Sequence, residues 1–271
     1  MRPRLMPLTP LLAQYDNVLL DLDGCVWVGD ALTPGAAQAI HELRAAGKNV
    51  AFVTNDARRS PEEYVRKLWS LGVQASLEEV VSAGGAIQYV LAERQQGTGA
   101  YVIGSSAIFR HVSDAGHRIL NGTPRAAEAD VVVVAGHDDL RFDDLNDAIR
   151  AVFGGAEMIA SCRDRTFPTD DGISPGTGAI VAALEYATQQ TAIAVGKPQP
   201  QIFLTALDRL GGGRTLVVGD RLESDLAGAA AAGLDAAIVL TGVADRAQAQ
   251  AAADPAPVRI ADDLHSLLVA S

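Results

Sequence analysis

Lysine is nearly missing from this 271-residue chain: Lys48, Lys67 and Lys197 stand among 22 basic side chains, and the rest are arginines. Basic runs are missing too, apart from the pairs Arg58-Arg59 and Arg66-Lys67. With a net charge of −11 and no basic stripe, nucleic acid is excluded as a partner, because affinity for a phosphate backbone comes from grouped Lys and Arg. Cys25 and Cys162, the only two cysteines, are too few for a disulfide framework or a Cys-rich zinc site, and they suit a reducing compartment. No apolar run reaches the roughly 18 residues that span a bilayer, so no membrane partner is expected. The leucine-containing start is interrupted by Pro3, Pro7 and Pro10, and cleavage beyond it would remove the acidic segment described below. A signal peptide is therefore not expected, and a cytoplasmic location is. None of this excludes a small anionic substrate, since exposed charges are screened beyond about 8 Å at physiological salt and a bound cation sets the local field.

What is present is apolar: hydrophobic residues make up 48% of the chain, enough for a sizeable core in one large domain or two smaller ones. The most informative stretch is Val18-Leu19-Leu20-Asp21-Leu22-Asp23-Gly24. A continuous apolar run fits a parallel strand covered on both faces, and it stops at two carboxylates and a glycine. Ligands of open α/β sheets bind at such carboxyl ends. Alone, Asp-x-Asp-Gly reads equally well as a glycine-assisted turn. Three further runs behave alike: Asn49 to Val53 leads into Thr54-Asn55-Asp56, Ala192 to Gly196 into Lys197-Pro198, and Thr215 to Gly219 into Asp220, with Asp225 five residues on. In a chain so poor in lysine, Lys197 at the end of an apolar run suits a compact point charge.

Between these runs the spacing predicts helices over Pro34–Ala46, stopped by Gly47, and over Pro61–Leu71, opened by proline. From about Ser82 to Ala192 a second alternation appears. Strands are predicted at Ala100–Ile103, Val131–Ala135 and Met158–Ala160, with helices at Ser105–Ala115 and Phe142–Phe153. The fold class is thus α/β: a doubly wound parallel-sheet core, residues 1–82 and 191–271, carrying an inserted smaller α/β unit, residues 83–190. Pro175-Gly176-Thr177-Gly178 opens an alanine-rich helix and lacks the third spaced glycine of a dinucleotide site. EF-hand calcium binding is set aside because no 12-residue loop ends in the required Glu.

Acid pair, hydroxyl, ammonium and acid, in that order from Asp21 to Asp225, resemble the four motifs of the haloacid dehalogenase-like phosphohydrolase superfamily. An insertion between the Thr54 and Lys197 motifs, together with Gly24 to Pro34, Val53-Thr54-Asn55, Pro175 to Gly178, Gly196-Lys197-Pro198 and Gly219 to Leu222, is similar to class IIA, whose large α/β insertion caps the site. That class includes 4-nitrophenyl phosphatases, phosphoglycolate and glycerol-3-phosphate phosphatases, and nucleotide and pyridoxal phosphate phosphatases. The resemblance implies a phosphate monoester hydrolase in which Asp21 attacks phosphorus to form an aspartyl-phosphate. Asp23 protonates the leaving group and then activates water; Thr54, Asn55 and Lys197 hold the phosphoryl group. Mg²⁺ is the implied cofactor, bound by Asp21, Asp220 and the Asp23 backbone carbonyl, with Asp225 orienting the set from outside.

In the cap, Ala160-Ser161-Cys162-Arg163-Asp164 stands where relatives show Ala-Thr-Asn-x-Asp, so Asp164 is the expected substrate contact, while Cys162 and, in the last motif, Glu223 depart from the pattern. Arg163 and Arg165 read as solvated loop arginines, with a second anionic group of the substrate as the alternative, and His137-Asp138 are a weaker pair. Aromatics are scarce, 5% of the chain, which disfavours base stacking. The leading expectation is a small phosphorylated metabolite of the glycerol 3-phosphate or phosphoglycolate type, with 4-nitrophenyl phosphate as an artificial substrate. Nucleotide or pyridoxal 5′-phosphate hydrolysis is the alternative; a phosphotransferase or mutase, or a non-catalytic phosphometabolite-binding protein, are the readings from other classes. A homodimer through the cap is a further expectation.

Overall fold

Along the Asn17–Leu20 strand, Val18 and Leu20 join one apolar cluster and Leu19 joins another. The same alternation divides Val50 and Phe52 from Ala51 and Val53, and Leu216 and Val218 from Val217. Side chains one residue apart point to opposite faces of a sheet, so each run must be apolar throughout because both faces are covered. In the computed structural model, which describes residues 6–95, 97–136, 139–169 and 172–270, these strands form a six-stranded sheet. Its order is Arg259–Ala261, Asp235–Val239, Thr215–Gly219, Asn17–Leu20, Asn49–Thr54 and Val80–Ser82, and every pair is parallel. Helices Ala36–Ala45, Pro61–Ser70 and Leu264–Leu268 cover one face; Gln201–Leu210 and Ala227–Ala231 cover the other. Each fully buried Leu or Ile contributes about 1.5–3 kcal/mol. The first helix is shorter than its apolar spacing suggests, because Gly35 precedes it in a left-handed conformation, φ 67°.

A second parallel sheet, of five strands, has the order Ile193–Ala194, Glu157–Ala160, Val131–Val134, Gly99–Ile103 and Arg118–Ile119. Its central strands are divided in the same way, Val132 and Val134 to one cluster and Val131 and Val133 to the other. The chain returns to the core later than the expected 190/191 break. Ile193–Ala194 is still the edge of the second sheet, paired with Ile159 and Ala160, because its apolar run is as good a partner for that edge as for the core. An antiparallel pair, Thr166–Thr169 with Gly172–Pro175, was not expected, since Pro168 and Pro175 argue against strand. No helix among the described residues is long and apolar enough to cross a membrane.

Candidate functional site

Chain order reverses on either side of the Asn17–Leu20 strand, where open α/β sheets leave a crevice at their carboxyl ends. Asp21 follows that strand, with its N–H still bonded to Val218 O at 2.8 Å. Thr54 ends the neighbouring strand on one side, and Asp220 follows the neighbour on the other. Lys197 comes from elsewhere. The ladder of the second sheet runs on through Val195 N–H to Ala160 O and Gly196 N–H to Ser161 O, so Lys197 is the first residue past that sheet rather than at the end of a core strand. Asp21, Asp23, Thr54, Asn55, Asp164 and Lys197 all line one pocket between the two units.

Lys197 is 2% exposed. Its Nζ donates to Asp21 Oδ1 at 2.5 Å, Asp225 Oδ1 at 2.7 Å and Val53 O at 3.2 Å. Burial favours the neutral amine, but the two carboxylates outweigh it and push the lysine pKa up. Burial in turn raises the Asp21 carboxyl well above its ordinary value against the pull of Lys197, and Asp225 and Asp220 add to the rise. Asp220 is pushed up to about 7, first by burial and then by Asp225.

The acid set fits a hard divalent cation. One oxygen each from Asp21, Asp220 and Asp225 lies within 4.8 Å of the others. Both Asp225 oxygens are already engaged, Oδ1 by Lys197 and Oδ2 by the N–H groups of Asp220 (3.2 Å) and Arg221 (3.1 Å). Asp220 Oδ2 accepts from Val243 N–H at 2.7 Å, while its Oδ1 is buried and has no protein partner. A lone buried carboxylate oxygen is costly unless something binds it, and an all-oxygen set suits Mg²⁺ or Ca²⁺. Two glycines make room for Asp220: a Cβ on Gly24, φ +92°, would lie 2.4 Å from Asp220 Oδ2, and one on Gly242 would lie 1.9 Å from it.

Asp23 is held by Trp27, whose Nε1 donates to Asp23 Oδ1 at 2.9 Å; Oδ2 is buried without a protein partner. Burial and then the Asp56 charge raise its pKa, with the Trp27 bond opposing them, so the carboxyl can keep a proton to deliver. Thr54 Oγ1 accepts from Asp56 N–H at 3.0 Å, which leaves its own O–H to donate into the pocket.

Asn55 and Asp164 both reach the pocket, but they are bonded to each other, Nδ2 to Oδ2 at 3.0 Å. Cys162 is buried in the wall, where burial pushes the thiol up to about 12, so it acts as a small neutral side chain. Glu223 is exposed, which accounts for its departure from the pattern. Arg163 pairs with Glu185 at 2.6 Å and donates to Ala192 O, turned to its own unit; Arg165 is exposed. His137 and Asp138 lie outside the described residues. Gly176 and Gly178 are packing residues: a Cβ there would lie 2.2 Å from Asp164 O and 2.3 Å from Arg163 O respectively.

Sequence reasoning did not place Arg58 at the site, and Phe167 counted only as one of the cap's few aromatics. The Arg58 guanidinium lies 4.2 Å from the Phe167 ring centroid and is held by Asp56 through Nε at 2.8 Å. Burial opposes ionisation of Asp56, but Arg58 more than offsets it and lowers the carboxyl pKa. The available signal was a basic pair directly after a strand end in an otherwise dispersed set of arginines.

Fold and pocket together define an α/β protein with buried acids that fit a divalent cation and a buried lysine bonded to one of them, at a sheet switch point. A family model described as haloacid dehalogenase-like hydrolase matches residues 18–118, and one described as HAD-hydrolase-like matches residues 194–267. The chain is 36% identical to the D-glycerol 3-phosphate phosphatase of Mycobacterium tuberculosis, over 94% of this chain and 71% of that protein. It is 32% identical to a sugar-phosphatase of Bacillus subtilis, over 86% and 85%. A crystal structure of the M. tuberculosis glycerol phosphate phosphatase with magnesium superposes with a TM-score of 0.84 at 35% identity, covering 96% of this chain and 78% of that one. A p-nitrophenyl phosphatase from Archaeoglobus fulgidus gives 0.83 at 28% identity, covering 93% and 97%. The chain belongs to the haloacid dehalogenase-like hydrolases and is an enzyme of their phosphatase branch.

Proposed function

We propose that the chain is a Mg²⁺-dependent phosphate monoester hydrolase that works through an aspartyl-phosphate on Asp21, with a small phosphorylated metabolite of the glycerol 3-phosphate or phosphoglycolate type as substrate. The observation that carries this is that buried oxygens of Asp21, Asp220 and Asp225 lie within 4.8 Å of one another, with the Lys197 ammonium on Asp21 and with Asp21, Asp23 and Lys197 lining one pocket. The cation, held by Asp21 and Asp220, supplies charge neutralisation for two carboxylates and a dianionic substrate. Asp21 displaces the alkoxide from phosphorus, and the carboxyl of Asp23 gives its proton to the departing oxygen. Asp23, now ionised, takes a proton from water as the water attacks the acyl phosphate, releasing phosphate and regenerating Asp21. Lys197 and the Thr54 hydroxyl stabilise the equatorial oxygens. The core, residues 1–82 and 195–271 once the Ile193–Ala194 strand is counted to the cap, performs this chemistry, and the cap selects the leaving group.

A second copy of the chain meeting the first through the cap is part of the same proposal. The neighbouring helices Phe142–Phe153 and Thr177–Thr188 expose Phe142, Phe153 and Tyr186, and sedimentation velocity decides it.

Phosphate release from a panel of monoesters, with Mg²⁺ and with EDTA, tests the reaction, with Asp21→Asn as the blank. Metal-dependent release that disappears in Asp21→Asn is expected, and Asp21→Asn should keep the wild-type circular dichroism spectrum. A mutant rate near wild type would refute the nucleophile. Release only in the presence of an alcohol acceptor would make the protein a phosphotransferase, and a profile led by nucleoside monophosphates or pyridoxal 5′-phosphate would overturn the substrate class.

A further inference from the structure

Among the contacts between cap and catalytic loops, one short segment makes three polar or ring contacts. Asp164 accepts from Asn55, the Thr166 carbonyl accepts from Arg221 at 2.7 Å, and Phe167 stacks on Arg58. Asn55 has a second set of bonds. Its Oδ1 accepts the Lys197 N–H at 2.7 Å, and its Nδ2 donates to the Lys197 carbonyl at 3.0 Å as well as to Asp164. An amide group carries two donor hydrogens, and both are used inside the protein. The Asn55 side chain therefore has none left for a phosphoryl group, and it grips Lys197 by that residue's own peptide groups.

The grip falls where the chain passes from cap to core. The ladder to Ala160 and Ser161 ends at Gly196, and Asn55 receives the next N–H. The junction is tight: a Cβ on Gly196 would lie 2.4 Å from both Asn55 Oδ1 and Ser161 O. Lys197 thus depends for its backbone position on an amide whose orientation is fixed by a cap carboxylate.

We propose that Asn55 and Asp164 are positioning residues rather than substrate ligands: Asp164, carried by the seated cap, orients the Asn55 amide, and Asn55 sets the Lys197 peptide so that its ammonium meets Asp21 and Asp225. Seating of the cap and readiness of the lysine are then one event. The kinetic half of this inference rests on the phosphatase reading; the backbone half does not.

The test uses Asp164→Ala, which removes the acceptor, and Asp164→Asn, which keeps one in the same place. Kinetics are measured on acetyl phosphate, too small to engage a cap pocket, and on glycerol 3-phosphate. A hydrogen bond to a charged group governs a rate by a factor on the order of 10 to 100. Asp164→Ala should lower kcat by such a factor equally for both substrates, with KM nearly unchanged, and Asp164→Asn should restore most of it. Independently, with only three lysines in the chain, selective ¹⁵N-lysine labelling makes the Lys197 amide easy to follow. Its hydrogen exchange should accelerate at least about tenfold in Asp164→Ala and stay slow in Asp164→Asn, a change in line with loss of one such bond. A rise in KM confined to glycerol 3-phosphate, with Asp164→Asn as damaged as Asp164→Ala, would assign Asp164 to the leaving group and overturn the proposal. Unchanged exchange in Asp164→Ala would also overturn it. If the wild type releases no phosphate from any ester, the phosphatase reading fails while the exchange measurement still decides whether Asp164 holds Lys197.

Discussion

Replacing Lys197 by Met keeps much of the stem and removes one charge and three hydrogen bonds, to Asp21, Asp225 and the Val53 carbonyl. Three carboxylates with oxygens within 4.8 Å of one another then lose their counter-charge. At an effective dielectric near 20, each ionised pair at that spacing repels by about 3 kcal/mol, and breaking a buried ion pair by removing one partner costs about 3–5 kcal/mol. The protein has a way to reduce that cost: burial already raises Asp21 and Asp220, so these groups take up protons. The stability loss in urea should therefore be smaller at pH 5 than at pH 8. The kinetic loss has no such escape, because the proposed mechanism also uses the ammonium's charge to neutralise the phosphoryl group, and removing one preorganised electrostatic group lowers kcat by about 10²–10³. Lys197→Arg should recover little, since a planar guanidinium cannot reproduce three bonds from one nitrogen. The assay is kcat on 4-nitrophenyl phosphate at saturating substrate, beside urea unfolding at both pH values. A Lys197→Met enzyme within tenfold of wild type would refute the assigned role, and equal stability losses at pH 5 and pH 8 would refute the coupling to the acids.

Other outcomes follow from the same site. For Asp220 the folded value near 7 lies above the unfolded 3.8, so the native state binds the extra proton: stability conferred by that proton is present below about pH 4 and is lost as pH rises through 7. In metal-free protein this amounts to roughly 4 kcal/mol, seen as a melting temperature that falls between pH 4 and pH 7; a flat profile would contradict it. Mg²⁺ should raise the melting temperature more at pH 8 than at pH 5, because the ligand oxygens must be deprotonated to bind it. Gly242→Ala drives a methyl group into Asp220 and should weaken Mg²⁺ activation by about 10–100-fold, measured by titrating the cation against rate; an unchanged midpoint would show that the Asp220 loop yields freely.

Much of the fold was legible because a doubly covered parallel strand leaves a strong mark: a run such as Val131 to Val134 must be apolar throughout when its alternate residues feed two clusters. The acids were legible for a related reason, since Asp21 and Asp220 interrupt such runs abruptly. Relations across the sheet boundary were not. Asn55 and Asp164 are 109 residues apart, and no periodicity in either segment marks one as the partner of the other. Both were expected at the substrate because a polar residue beside a site looks the same whether it faces the ligand or another loop. The apolar run before Lys197 likewise resembles the runs before Asp21 and Asp220, although two of its residues, Ile193 and Ala194, pair with the second sheet. That placement has a physical consequence. If Lys197 ended a core strand, its position would be fixed by the core sheet and independent of the cap; because it follows the last strand of the second sheet, any shift of the cap acts directly on the peptide that carries the ammonium, and a separate device on the core side is needed to hold it. Asn55, on the loop after the Asn49–Thr54 strand, supplies that hold.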